Sequence, residues 1–118
     1  MSAQKYSGGC QCGAVRYEVT TDLDSTFACN CSRCGRLGTI LSFTPEQNFT
    51  LLSGEGILTE YQFNKHVIHH LFCKVCGVQS FSRGARPDGT KVVAINARCL
   101  DGVEPDELTP TKVDGRSF

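Results

Sequence analysis

Gly8-Gly9-Cys10-Gln11-Cys12-Gly13-Ala14-Val15-Arg16-Tyr17-Glu18-Val19-Thr20 carries two signals side by side. Its first half sets two cysteines one residue apart among glycines, which allow the tight backbone that turns both thiolates toward one ion. Its second half alternates Val15, Tyr17 and Val19 with polar neighbours, the pattern of a half-buried strand. A metal loop that runs directly into a strand predicts a mostly-β domain in which irregular loops carry the cysteines.

Two further cysteine clusters lie downstream, Cys29-Asn30-Cys31-Ser32-Arg33-Cys34 and Cys73-Lys74-Val75-Cys76-Gly77, so that of eight cysteines only Cys99 stands alone. The first and last clusters are pairs, and together they supply the four thiolates that close a tetrahedral structural zinc site. Pairing them staples the start of the chain to its later half. The middle cluster supplies three, the number a catalytic zinc keeps when its fourth position is left for water or substrate. Two zinc ions per chain are expected. A zinc with three thiolates carries a formal charge of −1 against −2 with four, and it still accepts a substrate thiolate. The alternative is that Cys99 or a histidine fills the fourth place and makes a second closed site. Asn30, Ser32 and Arg33 are placed to orient or neutralise a ligand there.

The other apolar runs are short. Strands are expected over 13–20, 40–44, 49–52, 57–63, 67–72, 78–83 and 92–95, separated by turn chemistry such as Gly54-Glu55-Gly56 and Pro87-Asp88-Gly89. No sustained 3.6-residue period predicts a long helix. A helical turn is expected at 105–108, where proline opens it, and the tail from Thr109 to Phe118 reads as an extended segment or edge strand. His66, His69 and His70 fall on one expected strand, with His66, Ile68 and His70 on one face. They show no familiar ligand pairing and read as surface or cross-strand packing. Cys99 reads as a small buried thiol. Arg98 and Asn96 form a candidate carboxylate contact, since arginine presents a planar fork, against the plainer reading of a solvated loop arginine.

With 118 residues, one domain spanning 1–118 is expected. Leu, Ile, Val and Phe make up roughly a quarter of the chain, enough for a modest core that metal ties would reinforce. Twelve basic and twelve acidic residues cancel, and the missing basic stripe argues against a nucleic-acid partner. No apolar run reaches the length of a membrane span. The first nine residues lack the apolar region of a secretory signal. The expected compartment is therefore the cytoplasm, where thiols stay reduced and metal ligation is favoured over disulfides. The pattern leaves the oligomeric state undetermined.

These motifs resemble those of the glutathione-dependent formaldehyde-activating enzyme family, which includes centromere protein V. The run from Gly8 to Tyr17 is similar to its opening motif, Cys29 to Cys34 to its central one and Phe72 to Gly77 to its third. Their order and separation match over nearly the whole chain. The run from His70 to Phe81 is especially similar to the centromere-protein-V branch. The resemblance implies a β-rich, tent-like fold with two zincs. It makes Cys10, Cys12, Cys73 and Cys76 the structural site. It makes Cys29, Cys31 and Cys34 the catalytic site, where an aldehyde and the thiol of glutathione are joined as S-hydroxymethylglutathione. The expected function is that of a zinc-dependent carbon–sulfur lyase with a small-molecule thiol such as glutathione as its partner. The alternative is a non-catalytic zinc scaffold that binds another protein or chromatin. An exposed basic patch would favour the scaffold, and a pocket opening on the three-cysteine site would favour the enzyme.

Overall fold

The computed structural model describes residues 3–63, 65 and 67–117. Among them run β1 (Gln4–Gly9), β2 (Arg16–Thr21), β3 (Phe27–Cys29), α1 (Cys34–Leu37), β4 (Leu41–Pro45), β5 (Phe49–Ser53), β6 (Leu58–Tyr61), β7 (His69–Cys73), β8 (Phe81–Ala85), β9 (Lys91–Asn96) and β10 (Thr111–Val113). The architecture is mostly β, as the alternation predicts. A three-stranded sheet has the order β1-β2-β5, and a seven-stranded sheet the order β10-β3-β4-β9-β8-β7-β6. All pairings are antiparallel except that of β10 with β3.

The core lies between the sheets. Val15, Tyr17 and Val19 are buried, as their spacing predicts, and they join Phe49, Phe81, Val93, Ile95, Ala97 and Leu100 in one apolar cluster. Tyr17 and Phe49 from the smaller sheet meet Phe81 from the larger one, with ring centroids 4.8–5.7 Å apart. Tyr17 keeps its hydroxyl satisfied by donating to Ser80 O at 3.0 Å. Truncating a buried aromatic of this kind to alanine costs about 3–5 kcal/mol. Strand β4 turns its polar side inward: Ser42 and Thr44 are buried while Phe43 is exposed. The hydroxyls find partners in β2, Ser42 Oγ with Thr21 Oγ1 at 2.6 Å and Thr44 Oγ1 donating to Thr20 O at 2.8 Å. Burial therefore costs little there.

Several boundaries move from their expected places. The 13–20 run enters β2 only at Arg16, because Gly13–Val15 close the cysteine loop. Ile57 ends a 3-10 turn rather than starting a strand, and the 78–83 strand begins at Phe81. The histidine strand starts later than expected: β7 begins at His69, so Val67 and Ile68, each about half exposed, precede it. His70 is buried and opposite Ser82, Ile68 lies against Gly84 two residues along the neighbouring strand, and His69 pairs with Glu60 at 2.9 Å. His66 lies outside the described residues. The expected turn at 105–108 is a 3-10 turn over Pro105–Glu107, and the tail contains the edge strand β10. No helix among the described residues is long and apolar enough to cross a membrane.

Candidate metal centres

The fold brings the cysteines together in two sets, Cys10 with Cys12, Cys73 and Cys76, and Cys29 with Cys31 and Cys34. In each set every sulfur lies within 4.8 Å of the others.

The first set is built from two similar loops. The amide of Cys10 donates to Val15 O and that of Cys73 to Val78 O, both at 3.1 Å, so each loop closes five residues after its first cysteine. Each has a glycine directly after its second cysteine, Gly13 at φ 85° and Gly77 at φ 80°. That left-handed backbone is strained for any residue with a Cβ. The closed loops aim amides at sulfur: Val15 N donates to Cys10 Sγ at 3.3 Å and Val75 N to Cys73 Sγ at 3.4 Å. Cys12 Sγ lies 3.7 Å from both Cys10 Sγ and Cys73 Sγ. Tetrahedral zinc, with Zn–S near 2.3 Å, sets its sulfurs about 3.8 Å apart. The donor set fits that ion.

The thiol acidities carry the same message. The amide of Val78, and then that of Cys12, draw Cys76 down to about 6. The amide of Ala14 acts to lower Cys12, but burial and the three neighbouring sulfurs outweigh it and hold it at about 11. One sulfur ionises readily and the next is held back, as expected of thiols crowded on one point. A dication at that point lets every one of them ionise.

The second set sits where β3 runs into α1. Cys31 N donates to Cys29 Sγ at 3.5 Å and Cys34 N to Cys31 Sγ at 3.3 Å. Cys34 is pushed up to about 12, chiefly by burial, with the Thr39 hydroxyl acting against the rise. That hydroxyl is buried and makes no hydrogen bond of ordinary geometry. It is thus an orphan donor beside a sulfur that would accept from it as thiolate, which also fits metal ligation. Among the described residues no fourth Cys, His, Asp or Glu joins this set. Cys99 faces the other way: its Sγ lies 3.9 Å from Gln79 O, and after burial its acidity responds to Cys10 and Cys76 of the first set. Asn96 is occupied by the fold, and Arg98 is anchored through Nε. Asn96 donates to Gln79 O and accepts from Arg98 N, while Arg98 Nε donates to Gly38 O at 2.9 Å.

The C-terminal tail is a part of this site that sequence reading misses. Strand β10 sets Val113 beside Cys29, and the chain then crosses the thiol cluster so closely that a Cβ on Gly115 would overlap the Cys29 sulfur. Asn30 clamps it. Asn30 N donates to Val113 O, its side-chain amide donates to Asp114 Oδ1 and accepts from Arg116 N, and its carbonyl accepts from Arg116 Nε at 2.9 Å. Arg116 thereby reaches a cleft of about 550 Å³ that it lines with Cys31, Ser32, Gly35 and Arg36. A second cleft, of about 320 Å³, is lined by Ser32, Arg33, Arg36, Leu37, Tyr61 and Phe63. No local pattern marks Gly115 or Arg116, since their partners lie over eighty residues away.

The solved structure of a Rhodobacter sphaeroides protein, a structural genomics target, is similar to this chain at 30% identity, with a TM-score of 0.80 over 90% of this chain and 97% of that one. A sequence model of the glutathione-dependent formaldehyde-activating enzyme family matches residues 5–114. That span contains both thiol sets and the strands that carry them, and the chain belongs to the glutathione-dependent formaldehyde-activating enzyme family.

Proposed function

We propose that the chain is a zinc-dependent carbon–sulfur lyase acting on thiol–aldehyde adducts of the S-hydroxymethylglutathione kind. One observation carries this: Cys31 of the three-thiol set lines a cleft that also holds two arginines, Arg36 and Arg116. Cys10, Cys12, Cys73 and Cys76 would hold a structural zinc, and Cys29, Cys31 and Cys34 a second one. Bound there, zinc would supply a site where a thiol is held as thiolate near neutral pH, where free thiols are mostly protonated.

The chain's own residues provide the rest. Arg36 Nη1 donates to Ser32 O at 2.9 Å and Arg116 Nε to Asn30 O, which anchors both side chains and, among the described residues, leaves their other N–H groups for a ligand. Glutathione carries two carboxylates and one thiol, and a paired-arginine cleft beside a thiol-binding set complements that arrangement. In the addition direction a C–S bond forms between the thiol sulfur and the aldehyde carbon. The carbonyl π pair moves to oxygen, which takes up the proton released by the thiol; the reverse step breaks the C–S bond. Residues 1–118 are read as one zinc-binding domain, supported by the apolar cluster that both sheets share. The reducing cytoplasm is the compartment in which the eight cysteines would keep their ligating form.

The open cleft at Cys31 supports the enzyme, but the arginines on its rim are what a scaffold would also use, and catalysis separates the two readings. Two measurements on zinc-loaded protein test the proposal, glutathione binding by calorimetry and formaldehyde–glutathione exchange by NMR. Saturable binding with accelerated exchange is expected. Binding without acceleration would leave a thiol-binding module, and absence of both would return the scaffold.

A further inference from the structure

Formaldehyde carries a single carbon, and the lyase reading leaves the cleft of about 320 Å³ without a role. Its construction is specific. Arg33 projects from between Cys31 and Cys34, and its Nε and Nη2 both donate to Gln79 Oε1, at 2.9 and 2.7 Å. The guanidinium lies over the Tyr61 ring at 4.8 Å from its centroid and near Phe72 at 5.9 Å. Gln79 is itself buried, and its amide nitrogen faces Nδ1 of the buried His70 at 3.5 Å. His70 stacks on Phe63, which stacks on Tyr61, with centroids 5.2 and 5.8 Å apart. Arg33 is thus held rigidly by a neutral amide and aromatic faces.

Charge and shape agree on an occupant. Among the described residues neither Arg33 nor Arg36 has a carboxylate partner, and no Asp or Glu lines the cleft. Two positive charges face two flat rings and the half-exposed Leu37. Such a volume lies at the small end of the range for small-molecule pockets. Stacking rings and a planar cation suit a flat apolar group, and the unpaired guanidinium of Arg33 suits its carboxylate. Ser32 and Arg36 line both this cleft and the one containing Cys31, so the two are adjacent.

We propose that the cleft of Arg33, Tyr61 and Phe63 is a binding site for an aryl carboxylate, with Arg33 taking the carboxylate and Arg36, on the rim shared with the cleft of Cys31, staying with the thiol substrate. Resting on the lyase reading, this group is the substituent of the carbonyl partner, so that the substrate class extends from formaldehyde to carboxylated aromatic aldehydes. Their adduct forms as above: the thiol sulfur bonds the aldehyde carbon, and the carbonyl oxygen takes the thiol's proton.

The test uses zinc-loaded protein and two probes. 4-Methylbenzoate has the ring and carboxylate but no aldehyde; 4-carboxybenzaldehyde has all three. 4-Methylbenzoate is expected to bind saturably, to shift the Tyr61 and Phe63 ring resonances, and to bind at least five-fold more tightly than uncharged benzyl alcohol. Tyr61→Leu, at a half-exposed position, weakens it about five-fold, as does Phe63→Leu, with thermal melts expected to match the wild type. In exchange with glutathione, Tyr61→Leu lowers kcat/KM about five-fold for 4-carboxybenzaldehyde and leaves formaldehyde unchanged. No saturable binding of 4-methylbenzoate, or binding indifferent to both variants, overturns the proposal even if formaldehyde exchange is accelerated. Binding as described with no exchange of either aldehyde upholds the site and removes the lyase reading.

Discussion

Gly115→Ala isolates the contact between the C-terminal tail and the second thiol set. The φ of Gly115 lies outside the left-handed region, so alanine fits its backbone and any effect comes from the added methyl group. That methyl overlaps the Cys29 sulfur and comes within 3.1 Å of Cys31 Cβ and 3.4 Å of Cys31 N. Neither neighbour yields easily: Cys29 is paired in register with Val113, and its sulfur accepts from Cys31 N. Relief requires the tail to lift, which breaks the Asn30 bonds to Asp114 and Arg116, or the Cys29 sulfur to leave its position. Overpacking of this kind costs about 1–3 kcal/mol. Taken from the metal-bound form, that is about 5- to 150-fold in zinc affinity at the second site. Gly35→Ala is the matched control. It lies in α1 with its nearest contact, Asn30 O, at an ordinary 3.5 Å, and in a helix alanine is favoured over glycine by roughly 0.5–1 kcal/mol. Chelator competition that resolves two zinc-release steps reads both. Gly115→Ala should weaken one step and spare the other, and Gly35→Ala should spare both. Two steps of wild-type affinity in Gly115→Ala would refute the tail's packing on the site.

Elemental analysis of protein purified without chelator should find about two zinc ions per chain; one or none would remove the four-plus-three division. Cys73→Ser should unfold or strongly destabilise the domain, because binding energy at a site joining distant segments is folding energy, whereas Cys34→Ser should keep the fold and lose one zinc. Equal collapse in thermal melts would make both sites structural. Burial, and then the charge of Arg33, push His70 down to about 4. The unfolded chain therefore binds more protons between about 6.5 and 4, so this histidine costs nothing above 6.5 and a growing amount of stability as pH falls through that window. NMR of the zinc-loaded protein should show a neutral His70 ring at pH 5.5, and a midpoint near 6.5 would contradict its burial. Cys99→Ala should leave zinc content and glutathione binding unchanged; gain of glutathione binding would identify Cys99 as a ligand of the second zinc.

The fold was legible where local pattern and tertiary packing agree. Val15, Tyr17 and Val19 alternate because one face of β2 lies on the core, so periodicity reports a real constraint. Strand β1 offers no such pattern: Gln4, Lys5 and Ser7 give it little apolar content, and it is a strand because β2 pairs with it from Gln4↔Thr21 to Gly9↔Arg16. Strand β7 shows the opposite failure. Val67 and Ile68 carry strong β propensity, yet the ladder begins at His69↔Arg83, where β8 supplies partners. Propensity names residues that tolerate a strand, while the neighbouring strand decides where it starts.

The same division runs through the site. Cys10 with Cys12, and Cys73 with Cys76, are legible because a metal loop is local chemistry: two thiols, a following glycine, and an amide returning five residues later. Ligand count then joins the pairs across the chain without further information. Arg33 was visible only as a neighbour of ligands, because what aims it is Gln79, forty-six residues away, held in turn by His70. Arg116 and Gly115 were invisible for the same reason, being brought to Cys29 and Cys31 by one short parallel pairing and the Asn30 clamp. The thiol pairs are therefore legible in residues close in sequence, while the arginines around the second set are placed by residues close only in space. A substitution at Gln79 would leave every cysteine motif intact while releasing Arg33 from the partner that aims it. The tail couples zinc ligation to ligand binding: it packs on Cys29 at Gly115 and carries Arg116 into the cleft at Cys31. A substitution that moves it should therefore change zinc affinity and ligand binding together, whereas one at Tyr61 should spare zinc affinity.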